Sequence, residues 1–208
     1  MTGGAHDRRV ARLAERALLT DIDPVLAAAA RFLETRQRTT VETRQRLIRA
    51  GYPEALVNAA VARLTDLGLL DDEAFARAWV ESRDRARPRG ERALRYELRA
   101  RGMSPELAEA ALAERRAGGR DALAFEPWSR DAPVDLPDEP GGSADERAAG
   151  RLIQRHSQSL GRVADPRARR QRAYALLARN GFDPGVAGRV AQALEAMDGI
   201  AGEVTPDE

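Results

Sequence analysis

Apolar positions along the chain recur at helical spacing, and the same short signature closes the pattern three times. "LIRAGY" (Leu47–Tyr52), "LRARGM" (Leu98–Met103) and "LARNGF" (Leu177–Phe182) each place a leucine four residues before a glycine and a large apolar residue after it. A glycine there suits the left-handed position that ends an α-helix, with the next residue packing back onto the leucine. A new helix then starts at once: Ser104-Pro105 and Asp183-Pro184 read as an N-cap followed by proline, and Tyr52-Pro53 keeps the proline without the cap. Apolar residues follow in register, at Leu56, Ala60 and Val61, at Leu107, Ala111 and Leu112, and at Val186, Val190 and Ala191.

Upstream of each pair lies a third apolar stripe. It runs through Val25, Leu26, Ala29, Phe32 and Leu33 in the first copy and through Phe75, Ala76, Trp79, Val80 and Arg83 in the second. In the third it takes in Leu152, Ile153 and His156. Strand alternation and hairpin dipeptides are missing, so the expected fold is all-α. It is built from three tandem three-helix units that form an elongated, curved modular protein. A partly helical N-terminal tail (1–23) precedes units at 24–70, 71–116 and 146–197. The acidic Pro/Gly-rich segment 117–145 reads as a disordered insertion and 198–208 as a disordered tail. Units this short are marginal alone and are expected to stack on their neighbours.

Composition narrows the function. Cysteine is absent, which removes thiol chemistry and suits a reducing cytoplasm. No apolar run is long enough for a membrane span, and no signal peptide is evident at the N-terminus, so the expected location is cytoplasmic. The net charge is only +1, yet every one of the 34 basic residues is arginine. Arg83, Arg85, Arg87, Arg89, Arg92, Arg95, Arg99 and Arg101 cluster against Asp84, Glu91 and Glu97, while acids dominate from Asp121 to Asp145. A basic body favours a polyanionic or acidic partner.

The run Asp71, Asp72, Glu73 raises the question of a metal or acid–base site. Adjacent helical positions diverge by about 100°, so three consecutive acids cannot face one ion. Only His6 and His156 are available as partners. The run reads instead as an N-cap and first turn, with carboxylates opposing the positive helix end. No catalytic residue, metal ligand or cofactor site is expected, and a nuclease-type enzyme lacks its carboxylate–histidine set.

The stretch "GLLDDEAFARAWVESR", the loop "RARPRG" and the following "ALRYELRARGMSPELAEAAL" resemble the RecX family, bacterial regulators of the recombinase RecA. The resemblance covers residues 24–116 and 146–197. It implies a non-catalytic helical protein that binds in the groove of the RecA–single-stranded-DNA filament; the chain is expected to be a monomer. There it would limit filament growth, ATP hydrolysis and strand exchange. The acidic insertion departs from the family pattern and receives no role from it.

Binding residues follow from the residues themselves. On the helix from Glu91 to Arg101, Leu94 and Leu98 mark the buried face, which turns Arg92, Arg95, Tyr96 and Arg99 outward. The equivalent positions in the other copies, Val41, Arg44, Gln45, Ile48 and Gln171, Tyr174, Ala175, Ala178, are not basic in this way. Arg83, Arg85, Arg87 and Arg89 adjoin the middle face. Arg167, Arg169, Arg170 and Arg172 crowd a second helix start, where cations oppose the dipole and gain nothing structurally. Arginine beside an exposed aromatic suits phosphate with base stacking, or an acidic protein groove. The alternative to filament regulation is a helical repeat acting on DNA alone through the same arginines.

Overall fold

The computed structural model describes residues 3–118 and 143–201, and among these it is helical throughout, without strands. In chain order the helices are α1 (Gly3–Ala17), α2 (Asp23–Leu33), α3 (Thr40–Arg49), α4 (Glu54–Asp66), α5 (Asp72–Ala86) and α6 (Glu91–Ala100). They continue with α7 (Pro105–Ala117), α8 (Ala144–Arg155), α9 (Ser157–Gly161), α10 (Pro166–Arg179) and α11 (Pro184–Ala201). Most of the expected insertion lies outside the described residues. Its two ends are corrected, however: α7 runs through Ala117 and α8 begins at Ala144. The helix is nucleated there by a capping box in which Ser143 and Glu146 satisfy each other's backbone N–H. At the C-terminal side α11 continues to Ala201, past the expected end of the third unit at 197.

The three glycine-ended turns have the same hydrogen bonding. Gly51, Gly102 and Gly181 have φ of 91°, 87° and 80°. The amides of Tyr52, Met103 and Phe182 return to the carbonyls of Leu47, Leu98 and Leu177 at 3.3, 3.1 and 3.3 Å. This is the six-to-one bond of a Schellman end, and all six of these apolar side chains are buried. The expected caps are present: Ser104 Oγ accepts from the Leu107 amide at 3.2 Å and Asp183 Oδ1 from Gly185 at 2.8 Å. At α4 the N-cap is Pro53, without a side-chain bond.

By compactness the chain divides into two units, Met1–Ala76 with Leu98–Leu107, and Arg77–Glu97 with Ala108–Glu208. The first has a core of Val25, Ala29, Leu47, Tyr52, Val57, Ala60, Val61, Leu64 and Leu70, flanked by Ile22, Leu26 and Leu33. Between α4 and α5, Leu70 is buried while its neighbour Leu69 is 60% exposed. In this unit Arg16 Nη1 donates to the Ala50 carbonyl at 2.9 Å while Leu13 covers Gly51. Thr39 Oγ1 donates to the Arg101 carbonyl at 3.0 Å while Val41 covers Gly102. The carbonyl just before each glycine is thus satisfied by an upstream donor, which pairs a helix-end group that the helix itself leaves open. The tail helix α1 therefore has a structural task at Gly51.

The second unit has a core of Ala148, Ala149, Leu152, Ile153, Leu160, Ala173, Leu177, Phe182, Val186, Ala187 and Ala191. His156, expected on the apolar stripe of this region, is exposed and serves as the C-cap of α8. The turn rule recurs: the Gly90 amide donates to the Asn180 carbonyl at 3.0 Å, and Ala93 covers Gly181. Here the fit is backbone on backbone. A Cβ added at Gly90 would lie 2.2 Å from the Gly181 oxygen and 2.3 Å from the Phe182 Cα.

A buried ion cluster completes this unit. Arg115 on α7 donates two bonds to Asp84 at 2.8 and 3.0 Å and one to Asp145 at 2.7 Å. The Arg115 side chain is 4% exposed and that of Asp145 10%. Burial works against charge on Arg115, but the two carboxylates outweigh it and hold the guanidinium above its ordinary pKa. For Asp145 burial wins, raising its carboxyl above the ordinary range despite Arg115. Asp145 thus leaves the expected insertion and becomes a core ion.

Candidate partner-binding surface

The acidic run starts α5. Asp71 Oδ1 accepts from the Ala74 amide at 2.8 Å, which makes it the N-cap of α5. Asp72 accepts from the Thr40 amide at 2.9 Å and from the Thr40 hydroxyl at 2.6 Å, tying α5 to the start of α3. Among the described residues no cluster of three or more His, Cys, Asp or Glu has the arrangement of a metal site.

The arginines separate into those taken up by the fold and those left outside it. Arg83 is half-buried: its Nε donates to Glu97 at 2.7 Å and its guanidinium lies 3.9 Å over the Trp79 ring. Trp79 Nε1 donates to the same Glu97 oxygen at 3.0 Å, so one carboxylate holds both. Arg89 Nη1 donates to Asn180 Oδ1 at 2.9 Å, and its Nε sits 3.6 Å from Glu97. Arg85 forms a surface pair with Glu81, one turn before it on α5, at 3.3 Å. Arg87 is exposed, with no side-chain partner among the described residues.

On α6 the helical arithmetic holds. Leu94 and Leu98 are fully buried, and Tyr96 is 75% exposed. Arg92 and Arg99 are exposed, and their side chains have no hydrogen-bond or ion-pair partner among the described residues. Arg95 differs, because it donates to Glu109 on α7 and approaches Glu91 at 4.0 Å. The Glu109 hydrogen bond, with the charges of Glu109 and Glu91, raises the pKa of Arg95; the same bond, with the charges of Arg95 and Arg116, depresses that of Glu109. Arg92, Tyr96 and Arg99 thus form an i, i+4, i+7 stripe of two unpaired cations around an open phenol ring.

On α10, Asp165 caps the helix by accepting from the amides of Arg167 and Ala168 at 3.1 and 3.2 Å. Arg167, Arg170 and Arg172 are exposed. Arg169 is half-buried and donates to the Val163 carbonyl at 3.1 Å. Sequence reasoning missed the cluster around Arg115, although Ser143-x-x-Glu146 is a visible helix start that places Asp145 in a first turn.

These features define a class: a tandem repeat of glycine-ended helical turns, presenting arginine on chosen helix faces. Residues 26–64 match the description "RecX, first three-helix domain" and residues 71–112 match "RecX, second three-helix domain". The chain is 40% identical over 134 residues to a "Regulatory protein RecX" of Mycobacterium sp. strain KMS, spanning 62% of this chain and 73% of that protein. It is 39% identical over 95 residues to a protein of the same name from Prosthecochloris aestuarii, covering 46% and 63% of the two. The chain belongs to the RecX family of regulatory proteins. Its fold is that of the RecX crystal structure from Lactobacillus salivarius, with a TM-score of 0.65 at 17% identity over 84% of this chain and 97% of that one. Among the described residues no helix is long and apolar enough to cross a membrane.

Proposed function

We propose that this chain regulates the RecA–single-stranded-DNA filament in the cytoplasm as a monomer, limiting filament growth and ATP turnover without catalysis of its own. Three helical units, α2–α4, α5–α7 and α8–α11, carry the contacts. The repeat of the same Schellman turn at Gly51, Gly102 and Gly181 supports that division. The observation that carries the reading is the exposed stripe Arg92, Tyr96, Arg99. Neighbouring arginines such as Arg83, Arg89 and Arg95 are neutralised inside the fold, whereas these two cations keep their full bonding capacity for a partner. Arg87 and Arg167 extend the unpaired set, and Arg85, Arg169, Arg170 and Arg172 contribute field more than direct contact.

A titration of RecA's DNA-dependent ATPase, with binding to bare single-stranded DNA followed in parallel, tests this. The parent chain should inhibit at concentrations that leave bare DNA unsequestered. Arg92→Glu with Arg99→Glu should weaken inhibition by more than about 10-fold, since each charge-assisted bond contributes roughly 1.5–3 kcal/mol. Arg95 is left intact so that its tie to Glu109 stays in place. Inhibition that appears only once the DNA is sequestered would replace this reading with action on nucleic acid alone.

A further inference from the structure

Beside the α10–α11 core lies an open groove of about 360 Å³, lined by Arg170, Gln171 and Tyr174 of α10 and by Gly188, Ala191 and Gln192 of α11. The spacing on each helix is that of one stripe, so the two stripes form opposite walls. Tyr174 is 40% exposed and Gln171 and Gln192 are exposed, which leaves a ring face and two amides open to a ligand. The open floor comes from Gly188. Glycine within an 18-residue helix is unfavourable relative to alanine, and a Cβ built there meets nothing within 4 Å, so packing does not demand it. Arg167 stands one turn before Arg170 on the same stripe, exposed and without a side-chain partner among the described residues.

We propose that this groove stacks one base of a single-stranded nucleic acid on Tyr174, with Gln171 and Gln192 at the base edge and the phosphate following Arg167. The volume sits at the low end for ligand sites, enough for a single base and far too small for a duplex. An aromatic face bordered by arginine is the sequence-tolerant way of holding single strands. An acidic peptide would use the cations and leave the ring and both amides idle. The inference rests on the reading that the partner complex carries single strands, but it concerns a different helix pair from the α6 stripe.

The test uses the full chain and a fluorescein-labelled dT oligonucleotide in anisotropy titrations. Tyr174→Ala and Gly188→Leu should each weaken binding about 10-fold, and Tyr174→Phe should retain it. Neither loss should alter the salt slope, whereas Arg167→Ala should reduce it by about 0.7 for one lost phosphate. Parent-like affinity in both Tyr174→Ala and Gly188→Leu overturns the proposal, as does a parent chain that does not bind the oligonucleotide. A poly-glutamate peptide bound with the same dependence on Tyr174 also overturns it, in favour of an acidic protein segment. Tyr174→Ala removes an exposed side chain and so keeps the test decisive if Gly188→Leu fails to fold. If the parent fails to inhibit RecA while the groove variants still lose oligonucleotide binding, the filament reading falls and the groove stands.

Discussion

Substituting Gly90 by alanine tests how closely the arginine-rich loop seats on the Gly181 turn. Gly90 does not have a positive φ, so alanine brings no conformational penalty of its own. The cost is steric, because the new Cβ meets the Gly181 oxygen at 2.2 Å, the Gly181 carbonyl carbon at 2.3 Å and the Phe182 Cα at 2.3 Å. None of these is a side-chain tip that can swing away. The loop must lift off the turn, which strains or breaks the 3.0 Å bond from Gly90 to Asn180 and the 2.9 Å bond from Arg89 to Asn180. Overpacking contributes about 1–3 kcal/mol and a lost hydrogen bond about 0.5–1.5, so a total of roughly 2–4 kcal/mol is expected. In a chain of this size that lowers the melting temperature by about 5–15 °C. Gly68 supplies the control, with φ of 69° and nothing within 4 Å of an added Cβ, so Gly68→Ala should cost only about 1 kcal/mol. Gly181→Ala suffers both effects, with φ of 80° and a Cβ 2.4 Å from that of Ala93, and should cost at least as much as Gly90→Ala. Calorimetric or circular-dichroism melts measure all three. A Gly90→Ala protein that melts with the parent would show that the arginine-rich loop does not seat on the Gly181 turn.

Two further expectations concern charge. Arg115→Ala should cost about 3–5 kcal/mol in urea denaturation, because it strands Asp84 and Asp145 in a buried setting, and a loss below about 1 kcal/mol would refute the buried cluster. Glu146 has a carboxyl held below its ordinary pKa, first by the Ser143 backbone N–H and then by Arg189. The unfolded chain therefore takes up this proton before the folded one does as pH falls. The contribution is complete above the ordinary carboxylate value of about 4.3 and is lost as pH drops through the depressed folded value. Glu146→Gln should accordingly lower the melting temperature at neutral pH and make little difference in strong acid. An equal effect at both would show that the capping carboxylate is not the source.

The helical class and the ends of the repeated helices were legible in the sequence because they depend on neighbours a few residues apart. The bond from Phe182 back to Leu177 closes within six residues, and glycine is the residue type that takes the required backbone turn most readily. The caps Ser104, Asp183 and Asp71 are likewise settled inside one turn, which is why the acidic run could be read as a helix start without coordinates. The start of α8 was equally local, yet its Ser143–Glu146 box sits at the edge of a Pro/Gly-rich stretch whose composition outweighed it.

The fate of each arginine was another matter. Helical arithmetic gives the direction of a side chain, and it placed Arg92, Arg95, Tyr96 and Arg99 on one face of α6. It does not say which acid arrives opposite. Arg83 and Arg95 are each claimed by a carboxylate 14 residues away, on another helix, while Arg92 and Arg99 on that same face meet none. Asp72 likewise ties down Thr40 from 32 residues away, and Gly90 fits against a turn some 90 residues distant. A backbone position or a charge has its partner chosen by packing, because the strength of an ion pair depends on distances that only the assembled helices bring about. Local bonding thus wrote the helices and their ends into the sequence. Tertiary packing decided which cations remain outside to meet a partner.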